Sequence, residues 1–265
     1  MCNHRTCRLV RTLTTTYRRM TSETLELKFC LAILALLLAA TPMPSYSQER
    51  SYPKQRQMMV EEQIVSRGVT DPGVVRAMEE VPRHAFVPDR LRDQSYVDGP
   101  LSIGSGQTIS QPYVVALMTS LLELDGSEKI LEIGTGSGYQ AAVLSRLARE
   151  VYTIEIREEL GEKAEHTLSN LGYDNVHVRI GDGYQGWPEE APFDGIMVTA
   201  APDEVPEPLL QQLKVGAKLV IPVGDFVQDL LVLTKTADGV ERREIIPVRF
   251  VPMIGEVEKQ KSRQP

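Results

Sequence analysis

The sequence predicts an α/β fold: a doubly wound, mostly parallel sheet with N-terminal helices and a C-terminal antiparallel hairpin. Three observations predict it. From Lys129 onward, short apolar runs alternate with helix-length segments, the pattern of a parallel sheet with helices on both faces and right-handed crossovers. The first such run enters a glycine-rich turn, Gly134-Thr135-Gly136-Ser137-Gly138. The last runs are joined by Asp238-Gly239, a hairpin signal rather than a crossover.

In chain order, residues 53–67 read as a helix ended by Gly68. Asp71-Pro72 reads as an N-cap with proline at the first helical position, opening a short helix that stops before Pro82. Residues 94–110 are turn-rich and lack periodicity, and Ser110-Gln111-Pro112 opens a further helix. Strands are predicted at 129–133, 151–156, 176–180, 194–200 and 218–224, with helices at about 138–149, 158–171 and 206–213. Residues 229–236 and the β-rich stretch through 249–253 complete the hairpin, and no internal repeat is present.

Composition limits the function. The 265 residues are 42% hydrophobic and 25% charged, which excludes collagen-like and fully disordered chains. Net charge is −7, but residues 1–30 hold six basic and two acidic groups, leaving 23 basic against 34 acidic in the rest. So acidic a domain repels nucleic acid at long range, and no nucleic-acid partner is expected. Cys2, Cys7 and Cys30 are the only cysteines, so residues 31–265 can form neither a disulfide framework nor a cysteine zinc site. The four histidines are dispersed, and no metal is expected.

Residues 29–40 form an uncharged apolar run after Lys28 and several arginines, and small residues precede Gln48. This is signal-peptide grammar, too short for a comfortable membrane span. A long n-region containing Glu23 and Glu26, with Met20 as a second possible start, leaves export and a mis-called start both open.

The glycine turn carries the chemistry. In a doubly wound sheet, ligands meet the carboxyl edge of the strands at this turn. The spacing is GxGxG, whereas the dinucleotide fingerprint needs its third glycine one residue later, at Tyr139. Glu155 ends the second strand, placed to hold a ribose diol, and Gly181-Asp182-Gly183 ends the third, where Asp182 suits an adenine amino group. Glu132 adds an acid at the first strand, and no P-loop lysine is present. Acids without a phosphate cradle suit S-adenosylmethionine, and point to a Rossmann-like class I methyltransferase.

Several motifs together resemble the protein-L-isoaspartate O-methyltransferases. They are Gly106-Gln107-Thr108-Ile109-Ser110-Gln111-Pro112-Tyr113, the 131–138 turn, Val81-Pro82-Arg83-His84-Ala85-Phe86-Val87, the 181–187 segment, Ala191-Pro192-Phe193-Asp194, Pro222-Val223-Gly224 and the 248–252 segment. The resemblance runs in order over about 55–253. It implies methyl transfer from S-adenosylmethionine to the α-carboxylate of L-isoaspartyl residues in aged proteins, leaving S-adenosylhomocysteine. By the same resemblance Ser110 is the active-site serine, and Gln107, Thr108 and Ile109 lie over cofactor and substrate. Glu132, Gly134, Thr135, Gly136, Gly138, Glu155, Asp182 and Gly183 are cofactor-side, and 248–252 pairs with substrate backbone. Ser110 would also suit as a cap of the helix at Pro112, and the two roles are compatible. His84 reads as a packed interior residue, Trp187 as core or pocket lining, and Thr199-Ala200-Ala201-Pro202 as one wall of the substrate groove.

Residues 1–50 are therefore expected to be a leader and 51–265 one methyltransferase domain, divided into 51–125 (helices and substrate loop) and 126–265 (cofactor-binding core). A monomer is expected, cytoplasmic by the resemblance and exported if the leader acts as a signal. The alternatives are a class I methyltransferase for another carboxylate or small molecule, an NAD-linked enzyme disfavoured by the glycine spacing, and a non-catalytic exported binding module of the same fold.

Overall fold

A computed structural model describes residues 51–255. The leader expected at 1–50 lies outside them. Helix α1 (Tyr52–Met59) runs on through a π turn (Val60–Ile64) and a 3-10 turn (Val65–Arg67). It stops where Gly68 turns left-handed (φ 93°), its N–H bonded to Val65 O. The widened turn lets Val60 and Ile64 both reach the core. Helix α2 (Pro72–Glu80) starts as predicted, with the Asp71 carboxylate accepting from Val74 N at 2.8 Å.

Residues 94–110 depart from expectation. They contain an antiparallel hairpin, β1 (Leu101–Gly104) and β2 (Gln107–Ile109), turning through Ser105 and Gly106. The strands are so short that only Ile103 and Ile109 are buried, too few positions to show an alternation. Helix α3 (Pro112–Leu121) follows.

The main sheet has seven strands: β3 (Lys129–Ile133), β4 (Glu150–Glu155), β5 (Val176–Ile180), β6 (Phe193–Val198), β7 (Leu213–Val223), β8 (Gln228–Lys235) and β9 (Val240–Val248). Their order is β5-β4-β3-β6-β7-β8-β9, parallel from β5 to β7 and antiparallel across the last two pairings. Helices α4 (Tyr139–Leu144), α5 (Glu158–Asn170) and α6 (Glu207–Gln212) fill the crossovers after β3, β4 and β6, and two 3-10 turns (Gly183–Gln185 and Pro188–Glu190) take the one after β5. Alternate residues of β3 feed two cores: Ile130 joins α1 to α5 on one face, and Leu131 and Ile133 join α6 on the other. Four of the five β3 residues are buried, as befits a central parallel strand.

Most boundaries agree with the sequence to within one or two residues. Three do not. Helix α4 ends at Leu144 rather than near 149. Strand β7 begins at Leu213, five residues early, its extra length paired to β6 through a bulge between Phe193 and Gly195. Residues 249–253 are not in the closing hairpin. The Gln228 amide takes over the ladder there, accepting from Phe250 N (2.6 Å) and donating to Phe250 O (3.2 Å). The chain then crosses to Ala201, with bonds Ala201 N to Val251 O and Met253 N to Ala201 O, both 2.8 Å.

This topology places one crevice. The chain leaves β3 toward β4 and β5, then returns to β6 and β7 on the other side. The carboxyl end of β3, at Ile133 between Ile154 and Val198, is therefore the switch point where ligands bind in such sheets.

Candidate active site

The glycine loop leaves β3 at this point. Gly134 N and Thr135 N both donate to Ile154 O, at 2.8 and 3.2 Å. Gly134 adopts φ 100°, and a Cβ there would collide with Thr199 Oγ1. That hydroxyl lies 2.7 Å from Gly134 O and 3.0 Å from Ile133 O, so Thr199 pins the start of the loop. Gly136 N donates to Glu155 Oε2 (2.8 Å), and Arg157 N donates to Glu155 Oε1 (3.0 Å). Each carboxylate oxygen keeps a lone pair for a further donor.

A cavity opens over this loop. Its wall includes Gly134, Thr135, Gly136, Glu155 and Gly183 from the strand ends, and Gln107, Thr108, Ile109 and Ser110 from β2 and its exit. Thr199 and Ala200 line it too, and Thr199 alone of the 199–202 segment also lines a second cavity. That second cavity adjoins it, walled by Val248, Arg249 and Phe250 among others, and the two share Thr108, Ser110, Thr199 and Val251. Ser110 thus stands where they meet. Its hydroxyl makes no hydrogen bond among the described residues, and it does not cap α3, whose N-cap is Gln111. Its carbonyl accepts from Arg83 Nη2 at 2.7 Å. With its amide oxygen turned toward Arg157, Gln107 accepts from Nε (3.1 Å) and Nη2 (3.3 Å), holding β2 across the cavity.

Three expected cofactor-side residues do not line the cavity. Glu132 is fully buried beneath the loop. It faces Thr153 in register on β4, and Thr153 Oγ1 lies 2.6 Å from Glu132 Oε2 and 2.7 Å from Thr135 Oγ1. The other oxygen, Oε1, has no partner among the described residues. Burial pushes this carboxyl up to about 8, against the pull of Thr153 and with a small push from Glu155. Glu132 therefore supports the loop from behind. Gly138 is the left-handed N-cap of α4, against Leu168 and Ala164. Asp182 accepts from Tyr184 N (2.9 Å) to start the 3-10 turn Gly183–Gln185, and its carboxylate lies against Gly255.

His84 is stacked on Tyr52 with ring centroids 4.0 Å apart, and its Nδ1 lies 2.7 Å from the Tyr96 hydroxyl. Partial burial, then Arg56 and Arg92, lower its pKa, and it lines neither cavity. Trp187 meets Tyr152 edge-on at 5.3 Å on the other face of the sheet. Among the described residues no three His, Cys, Asp or Glu side chains group as metal ligands, and no helix is long and apolar enough to cross a membrane. Sequence reasoning assigned no role to Arg83, although it stands in the 81–87 motif, and did not single out Arg157. Both act on residues far along the chain, and no local pattern signals such contacts.

A family model described as protein-L-isoaspartate(D-aspartate) O-methyltransferase matches residues 54–258. The chain belongs to that family. A Picosynechococcus protein-L-isoaspartate O-methyltransferase is 58% identical over 200 residues, spanning 76% of this chain and 90% of the relative. One from Shewanella sediminis is 56% identical over 220 residues, 82% and 89% of the two chains. A solved protein-L-isoaspartate O-methyltransferase superposes with TM-score 0.72 at 30% identity, covering 79% of this chain and 69% of its own. A Plasmodium falciparum member of the family, solved with S-adenosyl-L-homocysteine, gives TM-score 0.65 at 26% identity, covering 75% and 98%. The family match includes the glycine loop, the Ser110 segment and both cavities.

Proposed function

We propose that this chain is a protein repair enzyme that methylates the free α-carboxylate of L-isoaspartyl residues with S-adenosylmethionine, giving a methyl ester that collapses to a succinimide. Family membership supports the reaction, and one observation carries the site: the Ser110 hydroxyl, unpartnered among the described residues, lies where two adjoining cavities meet.

The cavity over the glycine loop fits the cofactor. Glu155 keeps acceptor capacity for a ribose diol, the backbone at Gly134 to Gly136 is open to close approach, and Gly183 forms the wall at the third strand. A relative of the same fold is described in complex with the product S-adenosyl-L-homocysteine. The bound cofactor supplies a methyl group on a sulfonium, open to in-line displacement.

The chain's own residues do the positioning. A carboxyl with pKa near 4 is already ionised at neutral pH, so no strong general base is needed. His84, engaged by Tyr96 and Tyr52 outside both cavities, is not required as one. Ser110 donates to a substrate carboxylate oxygen and holds it toward the methyl donor. Gln107, Thr108 and Ile109 cover the cavity, with Gln107 held by Arg157. Alignment of this kind supplies roughly 7–11 kcal/mol of a barrier in favourable cases. The segment Val248 to Val251 lines the second cavity, where it meets the substrate chain. Damaged proteins bearing isoaspartyl linkages are the partners, and the cytoplasm, which supplies the cofactor, is the place of action of a monomer.

The test is methyl transfer from labelled S-adenosylmethionine by the full chain to two peptides differing only in one L-isoaspartyl or L-aspartyl linkage. Base-labile label on the isoaspartyl peptide alone is expected. Label on neither, with cofactor binding intact, refutes the proposal.

A further inference from the structure

Arg83 opens the 3-10 turn Arg83–Phe86 and is fully buried. Its guanidinium forks between two segments remote in sequence. Nε donates to Ser95 O and Nη2 to Ser110 O, both at 2.7 Å. Its face lies 4.9 Å from the Tyr139 ring, which also walls the first cavity. Two features are unusual for a buried arginine. Nη1 has no partner among the described residues, and no carboxylate among them lies within ion-pair distance. Burial pulls the guanidinium down to about 10, so it remains a cation at neutral pH.

A buried charge without a counter-charge is strongly unfavourable. An apolar side chain would fill the same space without that cost, so packing alone does not account for an arginine here. Its contacts do. One donor fixes the carbonyl of the residue at the junction of the cavities, another ties that segment to Ser95, and the ring beneath belongs to the cavity wall.

We propose that Arg83, which lines neither cavity, is a positioning residue for the acceptor: it grips the Ser110 loop from behind, and its buried positive charge biases the cavity junction toward an anionic substrate group. This rests on the carboxylate-methylating function proposed above.

The test uses the full chain with Arg83→Met, which keeps the length and removes charge and fork, and Arg83→Lys, which keeps the charge alone. For Arg83→Met we expect kcat/KM toward the isoaspartyl peptide to fall at least 100-fold, with S-adenosylmethionine affinity within threefold of wild type. Amide exchange over residues 107–111 should quicken at least tenfold. With S-adenosylhomocysteine bound, wild type should bind the peptide carboxylate in preference to its α-carboxamide. Arg83→Met should lose that preference about tenfold, and Arg83→Lys should keep it. Unchanged preference in Arg83→Met overturns the inference. So does cofactor affinity falling in step with turnover, or failure of both variants to fold, since either makes Arg83 a stability element. Failure of wild type to methylate the isoaspartyl peptide would instead refute the functional reading, while the exchange measurement still reports on the loop.

Discussion

The buried Glu132 makes a prediction whose size follows from its surroundings. Its folded-state pKa is about 8 against an ordinary 4.5. Between those values the folded protein holds a proton that the unfolded chain has released, so stability falls as pH rises through this window. Each unit is worth about 1.4 kcal/mol where the two states differ by a full proton. From pH 5 to pH 7.5 wild type therefore loses about 3 kcal/mol through this one group, allowing for partial ionisation at both ends. Glu132→Gln is neutral throughout. Its amide oxygen still accepts from Thr153, and its amide nitrogen falls where Oε1 has no partner, at a pH-independent cost of about 1–3 kcal/mol. The variant should thus be the less stable protein near pH 5 and as stable or more so near pH 7.5. The assay is urea unfolding of both proteins across this range. Other titrating groups largely cancel in the difference, since the substitution leaves the surface unchanged. A stability difference that stays constant from pH 5 to pH 7.5 would refute the reasoning, because it would show Glu132 ionising in the folded state at its ordinary value.

Two further substitutions separate the loop's parts. Ser110→Ala removes a hydroxyl with no protein partner among the described residues, so the melting temperature should stay within about 2 °C. Loss of a hydrogen bond to a charged group, about 1.5–3 kcal/mol, should lower kcat/KM roughly 10- to 150-fold in steady-state assays. A large fall in melting temperature with near-normal turnover would return Ser110 to a structural role. Gly134→Ala places a Cβ against Thr199 at φ 100°, and such strain costs on the order of 1–3 kcal/mol. Calorimetry should then show both a lower unfolding temperature and at least tenfold weaker cofactor binding, and unaltered binding would dissociate this turn from the cofactor.

What was legible in the sequence and what was not divide along a physical line. The strands, the crossovers and the glycine loop were readable because each is encoded locally: apolar runs by their period, and turns by residues that tolerate positive φ. The placing of Glu155 at a strand end followed from the same logic, since the end of β4 abuts the loop that β3 enters. Glu132 was misplaced because an acid near a strand end was read as facing the ligand. Yet it stands between Leu131 and Ile133 in a strand covered on both faces, where an interior position offers no route to a cavity. The 101–109 hairpin escaped because two strands of three or four residues carry no measurable alternation. The roles of Arg83, named only as part of the 81–87 motif, and of Arg157 escaped for another reason. Arg83 reaches Ser110 over 27 residues and Ser95 over 12, and Arg157 reaches back 50 to Gln107. Arg83 joins three loop segments through backbone carbonyls, and Arg157, at the start of α5, reaches the side-chain amide of Gln107 on β2. Backbone carbonyls exist at every position, so nothing at Ser95 or Ser110 announces the Arg83 contacts, and Gln107 carries no local sign of a partner 50 residues away. The scaffold of this site is therefore written in local patterns, and the long-range contacts that brace the 107–110 segment are written only in the folded geometry.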